Sequence, residues 1–187
     1  MAGVAEDLAA LAPKLAERGD DIAAARRLPD DVVGALREAG AFRIAAPRAL
    51  GGPELTPREQ TEVVETLSMH EASVGWCTMI GSDAPYYGSF LAPEAAAELW
   101  PSIDVVTAGQ IPPNGQARRV DDGYIINGRW AFGSGCTHAD VIVGGSGSND
   151  YMASDLFVPE RHITRPPRGR ARRSPARRRT RLRLRLP

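Results

Sequence analysis

Apolar residues recur three and four positions apart through the first hundred residues. After that they fall into short β-branched and aromatic runs. Val4, Leu8, Leu11 and Leu15 form one stripe between Glu6, Asp7, Lys14 and Glu17, which predicts an amphipathic helix over residues 3–18 with Gly19 as its stop. Leu28-Pro29-Asp30-Asp31 opens a second helix: proline suits the first turn, and the aspartates complement the positive end of the dipole. Its face is Val32, Val33, Leu36 and Ala39, and Gly40 ends it. Residues 47–53, with two prolines and Gly51-Gly52, predict a turn-rich connector. Thr56-Pro57-Arg58-Glu59 is a capping box that starts a helix carrying Val63, Val64 and Leu67. Residues 72–81 (ASVGWCTMIG) are small and apolar all round and predict a buried helix. Pro85 is expected to interrupt, and Pro93-Glu94 to start a short helix ending at Leu99.

Past Pro101 the texture changes. Residues 105–108, 117–120, 124–126, 129–132, 141–143 and 155–158 read as short strands divided by Gly, Asp, Asn and Pro. Asp121-Asp122-Gly123 is one turn between them, and Asn127-Gly128 carries the hairpin signal, because both residues tolerate positive φ. The expected fold class is α+β and multi-domain. A helical domain spans residues 1–102, and an antiparallel sheet or barrel spans 103–160.

Charge divides the chain again. Residues 1–160 hold 23 acidic and 11 basic side chains, whereas residues 161–187 hold 12 arginines and no acid. That tail is expected to be disordered, since like charges with little to bury do not fold alone. Its RLRLRLP ending is formally strand-like, but its apolar face is too short to make a sheet without a partner. Such Arg/Pro/Ala/Leu text is also what a shifted reading frame in GC-rich coding DNA yields. Arginine runs can bind phosphate backbones, but no aromatic residue is available for stacking. No apolar run is long enough for a bilayer, the acidic start is unlike a signal peptide, and Cys77 and Cys136 make no disulfide framework. These absences lead to the expectation of a cytoplasmic protein with no membrane partner.

Candidate chemistry concentrates at Gly133-Ser134-Gly135. Two glycines let backbone come close to a flat ligand while Ser134 offers a donor and an acceptor. A plain hairpin followed by a loose connection fits the same residues. Trp130 and Phe132 alternate along a strand, so at most one faces such a ligand. His70 and His162 have no metal-ligand spacing with any Cys or acid, and no metal site is expected.

A helical half followed by DDGYIINGRWAFGSG resembles the acyl-CoA dehydrogenase superfamily of flavoproteins. The resemblance covers roughly residues 5–160. It implies an N-terminal helical domain, a middle β-barrel that is here a partial antiparallel β-barrel domain over residues 103–160, and a C-terminal helical bundle, the last replaced here by the arginine-rich tail. Ser134 matches the hydroxyl that contacts the flavin ring near N5, and Phe132 takes the family's Trp position. Gly133, Gln110 and Trp130 are further cofactor-binding candidates, and His138 is a substrate-binding candidate. Trp130-x-Phe132-x-Ser134-Gly135-Cys136-x-His138 looks more like the two-component flavin monooxygenase branch. So does Ala108-Gly109-Gln110 standing where the dehydrogenases have Thr-Glu-Pro. The resemblance implies FAD, or reduced FMN or FADH2 supplied by a flavin reductase. It also implies an aromatic or acyl-thioester small-molecule substrate, a homo-oligomer, and either hydroxylation or α,β-dehydrogenation. It identifies no catalytic residue, and the dehydrogenases' catalytic Glu lies in or near the absent bundle. Two other classes compete: a non-catalytic remnant and a basic-tailed nucleic-acid binder. A barrel missing strands is also expected to leave sheet edges unpaired and to limit solubility.

Overall fold

The first helix, α1 (Val4–Ala16), buries Leu8, Ala12 and Leu15 on the stripe its spacing requires. The computed structural model describes residues 3–110, 115–130, 133–145, 151–163 and 181–185. Gly19 does not end the helical run. It opens a separate helix, α2 (Gly19–Ala25), with Asp20 and Asp21 in the first turn, where the dipole favours them. Arg26 ends α2 with a left-handed φ of 54°, unusual for a side chain with a Cβ. α3 (Asp30–Glu38) buries Val32, Val33 and Leu36, then terminates at Gly40, whose φ is 83°. A Cβ on Gly40 would sit 3.2 Å from the Val4 side chain, so the left-handed turn and the packing both call for glycine. A 3-10 turn, Ala41–Arg43, drops Phe42 into the core.

α4 (Pro57–His70) starts at the expected capping box: the Thr56 amide donates to Glu59 Oε2 at 2.7 Å, and the Glu59 amide donates to Thr56 Oγ1 at 3.3 Å. α5 (Ala72–Gly81) packs against α4 so closely that a Cβ on Gly75 would overlap Ser68. The helix is not buried all round as expected. Val74, Gly75, Thr78 and Gly81 form a narrow buried stripe, while Trp76 is 53% exposed and Met79 is also exposed. The small residues let α4 and Phe42 approach one face only, and the large ones are left on the other. Pro85 does not interrupt. It lies in the first turn of α6 (Ala84–Gly88), where a missing amide costs no intrahelical bond, and α7 (Pro93–Leu99) follows.

Six strands complete the described chain: β1 (Thr107–Gln110), β2 (Gln116–Val120), β3 (Gly123–Trp130), β4 (Val141–Gly145), β5 (Tyr151–Pro159) and β6 (Arg181–Arg185). They form two three-stranded sheets, β1-β4-β6 and β2-β3-β5. The fold is therefore mixed helix and sheet, and no closed barrel is present among the described residues.

Three strand expectations are corrected. β1 and β4 run parallel, with Thr107 opposite Val141 and Ala108 opposite Ile142. The hairpin turn falls at Asp121-Asp122, with Asp122 at φ 59°, and not at Asn127-Gly128, which lies inside the continuous strand β3. Asn127 there marks a bulge against β5, where its side chain accepts from the Asp155 amide at 2.8 Å. The third correction concerns the tail. Residues 181–185 pair antiparallel with β4, Ile142 opposite Leu184, because the β4 edge supplies the partner this alternating run needs.

One core cluster joins Leu8, Leu36, Phe42, Leu67 and Val74 to Val106, just before β1. A second holds Ile126, Trp130, Ala153, Val158 and Ile163 between β3 and β5. Arginines fasten the helices to the sheets. Arg43 donates to Asp104 Oδ2 at 3.0 Å, and Arg161 donates to both Glu98 carboxylate oxygens at 2.8 and 2.9 Å. His162 Nε2 lies 3.0 Å from the same carboxylate, and the Arg161 and His162 contacts together pull Glu98 down to about 2.

Candidate functional site

Residues 133–138 form a knot of two overlapping turns immediately before β4. The Cys136 amide donates to the Gly133 carbonyl at 3.0 Å, and the His138 amide donates to the Gly135 carbonyl at 3.1 Å. Gly135 takes φ 79°, which allows the second turn to start where the first has not finished. The knot is held from behind by the junction. Asp140 accepts from the Val106 amide at 2.8 Å, and its own amide donates to the Val106 carbonyl at 2.9 Å.

The front of the knot is one wall of a cleft of about 870 Å³. The opposite wall comes from α2 and the segment after it, with Ile22, Arg26 and Arg27, and from the first turns of α5, with Ser73, Trp76 and Cys77. That volume lies within the range of small-molecule and cofactor sites. The lining mixes an exposed indole, hydroxyls, two guanidiniums and glycine backbone, which suits a flat ligand carrying polar edges.

Three of the expected site residues meet here: Gly133, Ser134 and His138 all line the cleft. Ser134 is half-buried, and its hydroxyl makes no hydrogen bond among the described residues. His138 lies behind it, its ring 6.3 Å from Phe42 and its Nε2 about where a Cβ on Gly135 would touch it, at 3.4 Å. Both ring nitrogens are shielded from solvent, with no hydrogen-bond partner among the described residues. Burial, helped by the nearby Arg37 charge, pushes the imidazole below its ordinary value, so it is neutral at pH 7.

The other expected residues fall elsewhere. Trp130 is a core residue, 1% exposed in the second cluster, and does not line the cleft. Its indole fills the space above Gly115 and Gly128, where a Cβ would come within 2.5 and 2.6 Å of the ring. Alternation along β3 therefore sends Trp130 inward. Phe132, its alternate, lies outside the described residues. Gln110 ends β1 opposite Gly144, which places its backbone one strand from the knot.

Sequence reasoning passed over Arg26, Trp76 and Cys77. The signal for Trp76 was present: a bulky indole beside Gly75 on a helix of small residues has only one crowded face to avoid. No local signal marks Arg26. Cys77 is buried enough to push its thiol up to about 11, which keeps it protonated at neutral pH. No cluster of three or more His, Cys, Asp or Glu that could hold a metal occurs among the described residues, and no described helix is long and apolar enough to cross a membrane.

Residues 6–92 match the acyl-CoA dehydrogenase N-terminal domain. The chain is 38% identical over 141 residues to the indole-3-acetate monooxygenase of Acinetobacter baumannii, a stretch that covers 74% of this chain and 36% of that protein. It is 34% identical over 192 residues to the oxygenase subunit HsaA of a flavin-dependent monooxygenase from Rhodococcus jostii, covering 83% and 50% respectively. Among solved structures, the HsaA monooxygenase from M. tuberculosis superposes with a TM-score of 0.76 at 25% identity, over 84% of this chain and 50% of that one. XiaF from Streptomyces, in complex with FADH2 and glycerol, shares the fold with a TM-score of 0.71 at 23% identity, over 97% of this chain and 48% of that one. The chain thus spans half or less of the length of these relatives.

Proposed function

Because the chain belongs to the acyl-CoA dehydrogenase superfamily, we propose that its cleft is the flavin and substrate site of a two-component flavin-dependent monooxygenase. The observation that carries this reading is Ser134. It stands between two glycines on the wall of a cleft of about 870 Å³, with an exposed indole on the opposite wall. The residues present fit a flavin. Gly133 and Gly135 keep the wall flat enough for a tricyclic ring, and the Ser134 hydroxyl, which makes no hydrogen bond among the described residues, can bond a ring heteroatom. Bound flavin would supply the redox chemistry.

This chain's own residues hold and orient. Ser134 sets the ring edge, Trp76 offers a surface for aromatic stacking, and the knot backbone excludes water from one side. Neutral His138 has ring nitrogens without partners among the described residues, so its unprotonated nitrogen can accept a hydrogen bond from a phenol O–H or an indole N–H. The relatives named as monooxygenases favour an aromatic substrate over an acyl thioester, and an oxygenase subunit implies a separate reductase that delivers reduced flavin. The domain boundaries near residues 102 and 160, and assembly into a homo-oligomer, are part of the same proposal.

Anaerobic titration of the full chain with reduced FMN, FADH2 and oxidised FAD tests it. Binding of at least one flavin, weakened about tenfold in Ser134→Ala with an unchanged melting temperature, is the expected result. Failure of the folded chain to bind any of the three would overturn it.

A further inference from the structure

Arg26 is held in an uncommon way. It closes α2 at φ 54°, where a non-glycine residue is strained, yet it is placed on the cleft wall and makes no ion pair among the described residues. Its neighbour Arg27 also lines the cleft but leans toward Asp30, 3.8 Å away. Among the described residues the lining holds one acid, Glu71, whose Oε1 accepts from the Ser73 amide at 2.9 Å as the N-cap of α5. The cleft thus pairs a guanidinium that makes no ion pair among the described residues with the exposed indole of Trp76 and with the hydroxyls of Ser73, Ser134 and Thr137. Left-handed strain at a non-glycine residue is found disproportionately at ligand-binding and active sites. A guanidinium fork recognises carboxylate and phosphate through paired hydrogen bonds that a neutral group cannot replace.

We propose that Arg26 is the anion-recognising residue of the cleft, so that the site selects planar aromatic ligands bearing a carboxylate or phosphate over their neutral counterparts. This rests on the cleft being the flavin and substrate site. Within it two ligands could bring the anion: the terminal phosphate of a flavin nucleotide, or the carboxylate of an aromatic acid. The chemistry at Arg26 is the same for both. Trp76 provides the ring contact common to charged and neutral ligands, and Arg26 provides the discrimination.

Two matched pairs separate the sources. Calorimetric titration of the full chain compares indole-3-acetate with indole-3-acetamide, and FMN with riboflavin. Wild type is expected to bind the anion at least tenfold more tightly in one pair or both, a typical value for a charge-assisted hydrogen bond. Arg26→Gly, which relaxes the backbone while deleting the side chain, and Arg26→Gln should both bring that preference to within about twofold, and Arg26→Lys should restore part of it. Arg27→Gln should leave it intact, and Trp76→Ala should weaken both members of a pair alike. Loss of preference in the indole pair assigns Arg26 to the substrate, and loss in the flavin pair assigns it to the cofactor. If Arg26→Gly and Arg26→Gln fold with wild-type circular dichroism and keep both preferences, the proposal is overturned. It is equally overturned if wild type shows no preference in either pair or binds none of the four ligands. A surviving indole preference in a chain that binds no flavin would sink the monooxygenase reading while leaving Arg26 its role.

Discussion

Arg37 and Asp140 stand 103 residues apart in the chain and meet at 3.0 Å, with both guanidinium NH2 groups donating to the same Asp140 oxygen. That oxygen also accepts from the buried Val106 amide at 2.8 Å, and Arg37 reaches on to the Asp104 carbonyl at 2.7 Å. One carboxylate therefore ties helix α3 to the strand junction and anchors the knot that carries Ser134 and His138. Asp140→Ala should cost about 2–3 kcal/mol, since it leaves a buried amide without an acceptor, and Arg37→Ala about 1–2, because that pair is partly exposed and screened. Urea denaturation of both variants and of the double mutant would show coupling; strict additivity would mean that the contact does not fasten the two halves.

Trp130 should behave as a core residue. Trp130→Ala is expected to lose about 3–5 kcal/mol, enough to unfold the β2-β3-β5 sheet at moderate denaturant. Gly128→Ala and Gly115→Ala should each destabilise by about 1–3 kcal/mol, because the added methyl meets the indole. Quenching of Trp130 fluorescence by added flavin with no loss of stability in Trp130→Ala would place the indole in the site instead.

The bulge in β3 depends on a contact 28 residues away, in which Asn127 accepts from the Asp155 amide while its Nδ2 donates to Asp155 Oδ1 at 3.3 Å. Asp155 pays for that contact with a φ of 47°. Asn127→Ala should cost about 1 kcal/mol, whereas Asp155→Gly should be neutral or stabilising, since glycine relieves the left-handed strain. Thermal melts of the two variants decide it, and a larger loss for Asp155→Gly than for Asn127→Ala would contradict this account.

His138 sets a pH dependence whose sign follows from its depressed folded value. The unfolded imidazole binds a proton near its ordinary value of about 6.5, while the folded one resists protonation. Stability therefore falls as pH drops through that value, and the fall ends below the depressed folded value. Denaturation midpoints taken between pH 8 and 5 should decline in wild type and decline less in His138→Gln. Identical slopes would show that groups other than His138 control acid sensitivity in that window. Glu98 loses its contribution only as pH falls from about 4.5 towards about 2.

Cys77 should be a slow thiol. With its value raised to about 11 by burial, little thiolate exists at pH 8 even though the residue lines the cleft. Iodoacetamide labelling followed by peptide mass spectrometry should modify Cys77 at least tenfold more slowly than glutathione reacts, and a cleft-filling ligand should slow it further. Rapid labelling at pH 7 would contradict the buried placement.

The sequence by itself determined whatever depends on a few neighbouring residues. The stripe of Leu8, Leu11 and Leu15, the Thr56–Glu59 capping box and the Gly40 stop all express local periodicity or local backbone freedom. They appear where they were expected. Only the tertiary structure decided what those elements meet. Asn127-Gly128 has a good hairpin sequence, yet β5 arrives beside it and converts the pair into a bulge within a longer strand. Residues 72–81 are apolar throughout, yet α4 and Phe42 cover one side only, and Trp76 is left to the cleft. Arg26 looks like any helix-ending arginine until the knot at 133–138 is folded opposite it, more than a hundred residues later in the chain. Local propensities reach one turn of helix or one pair of strands. The site is assembled from α2, α5 and the segment before β4, so it exists only once burial of Phe42, Val74 and Val106 in one core has brought those distant pieces together.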